Sequence, residues 1–432
     1  MSEAYRRRLR SPREAAALIH ERDDLLLPLA PAQPIALLRA LGERARFEDL
    51  ALWGGLLVEP FALLLRPGVR LMSGFFGPIE RALAGAEAID YAPADFHGLE
   101  LLAKRRRLRV VASAVSPPDA DGFLSFGLHA GASEKAFYAA AADPERLAIA
   151  EVNPAMPFTR GLPEFGNHRI HCSDVDVIIE HEHPLETLAR AEPDDAQRRI
   201  AEHIAERIPE GATLQFGIGG VPDEIARLLA RGSRGDFGIH TEMLADGVRL
   251  LHEAGLVSNR KGSYDGLTVC TFALGSEALY AWAGREQAVR FLPVSATNLP
   301  AAIARNRRMV SVNAALAIDL HGQVVADTLT GQQYSGVGGH EAFVTGAREA
   351  ESGMSVICLR STVCVAGEER STIVAEHAPG SIITTPRHQV HCVATEHGIA
   401  DLWGLADRER ARALISLAAP QFRDELAARV AV

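Results

Sequence analysis

The segment Gly238-Ile239-His240-Thr241-Glu242-Met243 sets a carboxylate where an apolar, strand-like stretch from Phe237 to His240 gives way to a helical pattern. A carboxylate so placed is able to act as a nucleophile. The pattern that follows puts Leu244, Val248 and Leu251 on one face and stops at Gly255, so Glu242 is expected in the first turn of a helix. Acidic residues are also favoured in first turns by the helix dipole alone. The segment by itself leaves both readings open.

Two glycine-rich segments offer chemistry that complements a carboxylate. Gly217-Ile218-Gly219-Gly220-Val221-Pro222-Asp223 follows a predicted strand, Thr213 to Phe216, and opens a helix in which Ile225, Leu228 and Leu229 keep helical spacing. Glycines let the backbone approach a ligand, and free N–H groups at a helix start favour negative charge. A tight strand-to-helix turn with no ligand has the same composition. Pro222 stands where the third glycine of a dinucleotide fingerprint would be, which argues against a nicotinamide dehydrogenase. The second segment, Tyr334-Ser335-Gly336-Val337-Gly338-Gly339-His340, is of the kind that aims successive N–H groups at one developing oxyanion. Thr297-Asn298-Leu299-Pro300 supplies an amide ahead of a helix beginning near Pro300, where Asn298 is equally placed as a cap, and Asn313 ends a strand soon after.

These residues need elements to hold them, and the chain alternates short β-rich runs with helical patterns over nearly its whole length. That alternation predicts an α/β fold with mainly parallel sheets and crossover helices. Val110 to Val115 and Leu147 to Val152 read as buried strands in the first half. Thr213 to Phe216, Met309 to Val312, Ser355 to Leu359 and Val390 to Thr395 do so in the second, with helices such as Gln197 to Arg207 and Pro222 to Ala230 between them. Ser116 to Phe123 and Glu151 to Pro157 end strands in proline-braced turns, and Lys104 to Arg107 reads as a solvated basic loop. Glu180 to Pro184, followed by Glu192 to Asp195, is the most linker-like region, and its His181 and His183 read as solvated rather than metal-binding. Two domains are therefore expected, residues 1–188 and 189–432, with the boundary near residue 190.

Composition narrows the partners. With 432 residues, 47% hydrophobic and 23% charged, the chain has apolar mass for two cores. A formal net charge of −10 opposes attraction to nucleic acid or an anionic membrane. Cys172, Cys270, Cys358, Cys364 and Cys392 are scattered and odd in number, so no disulfide framework or zinc site is indicated and a cytoplasmic location is expected. No window approaches the roughly 18 uninterrupted apolar residues of a membrane span.

Taken in order, these segments resemble the acetyl-CoA hydrolase/transferase family, which includes 4-hydroxybutyrate and succinyl:acetate CoA-transferases. The resemblance runs through Ser116 to Gly122, Ala150 to Pro157, Leu214 to Gly220, Gly238 to Met243, Asp319 to Val324, Ser335 to Gly339, and Thr395 to Gly404 with Phe422-Arg423. It implies two open, mainly parallel-sheet α/β domains of CoA-transferase type with the active site between them. It casts Glu242 as the nucleophile, with Asn298, Gly338 and Gly339 completing the catalytic set. Gln215, Gly217, Gly219, Gly220, Gly336 and His340 would contact CoA. The expected reaction moves CoA between an acyl-CoA and a short-chain carboxylate of acetate, butyrate or 4-hydroxybutyrate type, by ping-pong kinetics through a glutamyl-CoA thioester. CoA is then a substrate, with no tightly bound cofactor and no metal, and the assembly is expected to be a homodimer. Hydrolysis of the acyl-CoA on the same scaffold and noncatalytic acyl-CoA sensing are the alternatives. One stretch departs from the family: where many relatives read Gly-Gly-Gln-x-Asp-Phe-x-Arg-Gly-Ala, this chain has Gly338-Gly339-His340-Glu341-Ala342-Phe343-Val344-Thr345-Gly346-Ala347. His340 either contacts an acidic acceptor or fills the loop, and Glu341 and Glu396 are rival carboxylates.

Overall fold

The computed structural model describes residues 2–85, 88–189 and 192–430. It separates into two compact units, Met1–Leu188 with Val269–Thr297, and Ala189–Thr268 with Asn298–Val432. The segment Val269–Thr297, which falls by number in the expected second domain, packs with the first unit. There the Thr271 carbonyl accepts the Ala130 N–H at 2.8 Å, and the Tyr280 hydroxyl donates to the Glu186 carbonyl at 2.7 Å. Arg190 and Ala191, where the boundary is expected, lie outside the described residues. No helix among the described residues is long and apolar enough to cross a membrane.

The first unit is built on seven strands: β1 (Arg22–Leu26), β2 (Asp49–Gly54), β3 (Val69–Ser73), β4 (Ile89–Tyr91), β5 (Val110–Val115), β6 (Leu147–Val152) and β7 (Val177–Glu180). They lie in the order β4-β3-β2-β1-β5-β6-β7, and every pairing is parallel. All six residues of β5 are buried, as its run of small and, apart from Ser113, apolar residues leads one to expect of a strand covered on both faces. Helix α1 (Ile35–Gly42) begins after Pro34, which offers no side-chain cap. Its free N–H groups are served from β6 instead: Glu151 accepts from Ala36 and Leu37, each at 3.0 Å. Of the two linker-like histidines, His181 is partly exposed and His183 is not solvated. His183 is 8% exposed, its carbonyl accepts the Asn153 amide at 3.0 Å, and its ring stacks on His181. Asn153 is fully buried at the end of β6 and draws that segment in to satisfy its amide. Lys104 to Arg106 likewise form the last turn of a helix rather than a loop.

The second unit carries β8 (Thr213–Phe216), β9 (Gly238–Ile239), β10 (Met309–Ala314), β11 (Met354–Cys358), β12 (Cys392–Thr395) and β13 (Gly398–Asp401). Their order is β9-β8-β10-β11-β12-β13, parallel except for β13. Gln215 stands opposite Ser311 and Leu214 opposite Ile239. Helix α2 (Asp195–Arg207) starts on a reciprocal capping box between Asp194 and Gln197, and α3 (Gly220–Arg231), α4 (Asp246–Glu253), α5 (Pro300–Ile303) and α6 (His340–Glu349) follow in turn. A helix entering such a sheet presents its N-terminus beside the C-terminal ends of the strands, the edge where open α/β sheets place ligand loops.

Candidate active site

Glu242 leaves the sheet at that edge. It follows the C-terminal end of β9, with His240 and Thr241 fully buried behind it and its own side chain half-buried. The Thr241 hydroxyl turns back onto the Met243 carbonyl at 3.0 Å. The expected first-turn position is corrected: Met243–Leu244 is extended, Ala245 is the N-cap, and α4 starts only at Asp246. Leu244 keeps helical spacing to Val248 and Leu251 because all three are buried, but it reaches the interior from extended backbone. Asp246 is the first-turn acid of α4, so the dipole of that helix does not account for Glu242.

Three of the expected catalytic residues meet. Asn298 is 1% exposed, and its Nδ2 donates to Glu242 Oε2 at 2.5 Å. Its role as helix cap is taken by Leu299, which leaves the amide for the carboxylate. A Cβ built on Gly339 would collide with Glu242 Oε2 and lie 2.7 Å from Asn298 Nδ2, so only glycine lets the backbone come this close. Gly339 is the N-cap of α6, and Gly338 before it has φ +53°, a left-handed conformation that glycine adopts without strain. The N-terminus of a ten-residue helix therefore adjoins the carboxylate and favours negative charge there.

The expected CoA contacts divide into two groups. Gly217 and Gly219 face open space, and Gly219 has φ +111° at the start of α3. Gly220 is packed instead against Gln197 of α2, where a Cβ would collide with its amide. Gln215 is 6% exposed and stands opposite Ser311, and its Oε1 has no hydrogen-bond partner among the described residues. This loop leaves β8, the immediate neighbour of the strand that leads to Glu242.

The stretch that departs from the family pattern turns inward. His340 donates through Nε2 to the Thr385 hydroxyl at 2.9 Å, and that hydroxyl donates onward to Glu341. Burial pushes the His340 imidazole down to about 4, with Asp327 opposing, so it is uncharged near neutrality. Asp327 anchors the loop from the other side, its carbonyl accepting the Tyr334 and Ser335 N–H groups. Gly336 sits within this braced stretch. Glu396, the second rival carboxylate, has both oxygens engaged by Ser361, one by the N–H and one by the hydroxyl. Sequence reasoning did not identify the helix behind the second glycine loop, although Phe343, Val344 and Ala347 carry its apolar spacing.

A family model for the acetyl-CoA hydrolase/transferase C-terminal domain matches residues 275–430. The chain is 38% identical to a 4-hydroxybutyrate coenzyme A transferase from Clostridium kluyveri over 82% of this chain and 80% of that one. It is 34% identical to a succinyl-CoA:cyclohexane-1-carboxylate CoA transferase from Geobacter metallireducens over 98% and 94%. Among solved structures, RipA from Yersinia pestis superposes with a TM-score of 0.90 at 34% identity, covering 99% of this chain and 98% of that one.

Proposed function

The chain belongs to the acetyl-CoA hydrolase/transferase family, and on that premise we propose that it moves CoA between an acyl-CoA and a short-chain carboxylate by ping-pong catalysis through a thioester on Glu242. One observation carries this reading: a half-buried carboxylate held by the Asn298 amide against the glycine N-terminus of α6.

The chemistry calls for a carboxylate. A Glu242 oxygen attacks the thioester carbonyl, the C–S bond breaks, and CoA leaves as thiolate, giving a mixed anhydride. The thiolate then attacks the glutamyl carbonyl of that anhydride, releases the donor acid as carboxylate and leaves a glutamyl-CoA thioester. An acceptor carboxylate runs the same steps in reverse. Thioester energy is retained throughout, because each acyl group passes only between carboxylate oxygens and one sulfur. Each addition places negative charge on a carbonyl oxygen. Asn298 Nδ2 and the N–H groups at the start of α6 are the donors available to it, and one such donor is worth about 3 kcal/mol in the barrier. CoA enters as a substrate, with the open backbone at Gly217 and Gly219 offered to its anionic or amide groups. Burial of His340 as an uncharged ring bonded to the Thr385 hydroxyl supports loop filling rather than a charged contact to the acceptor.

Incubation with an acyl-CoA and no acceptor, followed by borohydride, should reduce the thioester and change the mass of the peptide containing Glu242. An unchanged peptide with turnover intact would remove the proposal. CoA release at the same rate with and without acetate would assign hydrolysis instead.

A further inference from the structure

Strand β9 is the edge of its sheet and is only two residues long, Gly238–Ile239, yet it must hold Glu242 in place. Among the described residues, no strand pairs with its outer side. The Phe237 N–H donates to the Leu256 carbonyl at 2.8 Å, and the Phe237 carbonyl accepts the Asn259 N–H at 3.0 Å. The next outward group, the Ile239 N–H, donates to Asn259 Oδ1 at 2.9 Å. Asn259 is 2% exposed and has φ +56°, a left-handed conformation that asparagine tolerates better than most residues.

The other end of the Asn259 amide reaches Thr268. Nδ2 donates to Thr268 Oγ1 at 3.0 Å, and the same hydroxyl lies 2.7 Å from Nε2 of His252. Asn259 Oδ1 is 3.5 Å away, so the hydroxyl proton is better placed for His252. His252 belongs to α4, the helix that begins four residues after Glu242. One fully buried hydroxyl thus ties the strand before the carboxylate to the helix after it. We infer that Thr268, acting through Asn259 and His252, is a positioning residue that clamps both flanks of the Glu242 segment. This rests on Glu242 being the nucleophile.

Thr268→Val keeps the side-chain shape and removes the hydroxyl, and Thr268→Ser keeps the hydroxyl. Thr395→Val is the matched control: its buried hydroxyl donates to the Leu417 carbonyl at 2.7 Å from β12, which three strands separate from β9. Thr268→Val should lower kcat about 10- to 100-fold with KM for the acyl-CoA within about twofold, since misplacement of a reacting group costs rate rather than binding. Thr268→Ser should recover most of that loss. Thr395→Val should lower the thermal midpoint without the fall in kcat. Amide hydrogen exchange across residues 239–245 should accelerate in Thr268→Val and not in Thr395→Val. The clamp is overturned if Thr268→Val loses no more kcat than the control, if serine restores nothing, or if exchange across 239–245 is the same in both. Borohydride labelling of the unaltered protein separates the two ideas. Turnover without a label on Glu242 removes the nucleophile and the clamp's catalytic role together, whereas a labelled Glu242 with undiminished kcat in Thr268→Val removes the clamp alone.

Discussion

Glu151 in the first unit and Glu242 in the second are built on one plan and, on the proposed mechanism, put to opposite uses. Each stands at or beyond the C-terminal end of a parallel strand, beside the N-terminus of a helix from elsewhere in its unit. Glu151 is fully buried, with both oxygens occupied by the N–H groups that open α1. Burial pushes its carboxyl up to about 7 against the opposing pull of those N–H groups. It is a cap. Glu242 is half-buried and is approached through Gly339, where the missing side chain leaves the helix end close to Oε2. A carboxylate becomes a cap when amides occupy both its oxygens and solvent is excluded. At Glu242 a helix end and a side-chain amide face the carboxylate while it stays accessible, the arrangement that the proposed mechanism uses.

Substitution of each glutamate gives the sharpest break in this comparison. Glu242→Gln should lower CoA exchange between an acyl-CoA and acetate or butyrate by at least about 10³-fold, because the amide cannot form the anhydride. Glu151→Gln should leave kcat within about twofold. Equal losses in steady-state exchange would mean that both carboxylates position the fold and neither reacts.

A smaller effect is expected where the two sites differ in access. Gly339→Ala places a methyl against Glu242 Oε2 and displaces the carboxylate, which should cost on the order of 10²-fold in kcat with little change in thermal midpoint. A folded Gly339→Ala protein with full activity would show that the close approach of α6 has no bearing on the reaction.

The smallest effect is in stability. The Glu151 carboxyl is raised from its ordinary 4.5 to about 7 in the fold, so the unfolded chain gives up its proton first as pH rises. The group's contribution is fully present below pH 4.5 and is lost as pH rises through 7. Relative to Glu151→Gln, the urea-unfolding stability of the unaltered protein should therefore fall by on the order of 3 kcal/mol across that window, the difference cancelling the contributions of other titrating groups such as His340. Parallel pH profiles for the two proteins would remove Glu151 as the source.

Much of the fold was legible because its signals are local. Runs such as Val110–Val115 can only be strands covered on both faces, and the strands predicted at Thr213–Phe216 and Leu147–Val152 have the observed bounds. Misreadings came where burial imitates periodicity or polarity imitates exposure. Leu244 has helical spacing from an extended backbone, and His183 is a polar residue drawn inward by a buried asparagine. Neither position differs locally from the alternative expected of it.

By itself the sequence determined the alternation of strands and helices, the glycine turns at strand ends and the family to which their order belongs, because these depend on composition over a few residues. Only the tertiary structure decided that Asn298 and Gly339 meet the carboxylate of Glu242, and that Gly220 packs on Gln197. It also decided that His340 is buried and uncharged. The physical reason is that a parallel sheet brings strand C-termini and helix N-termini from distant parts of the chain to one edge. Which residues then touch is set by register and packing distances of a few ångströms, quantities that no local pattern encodes.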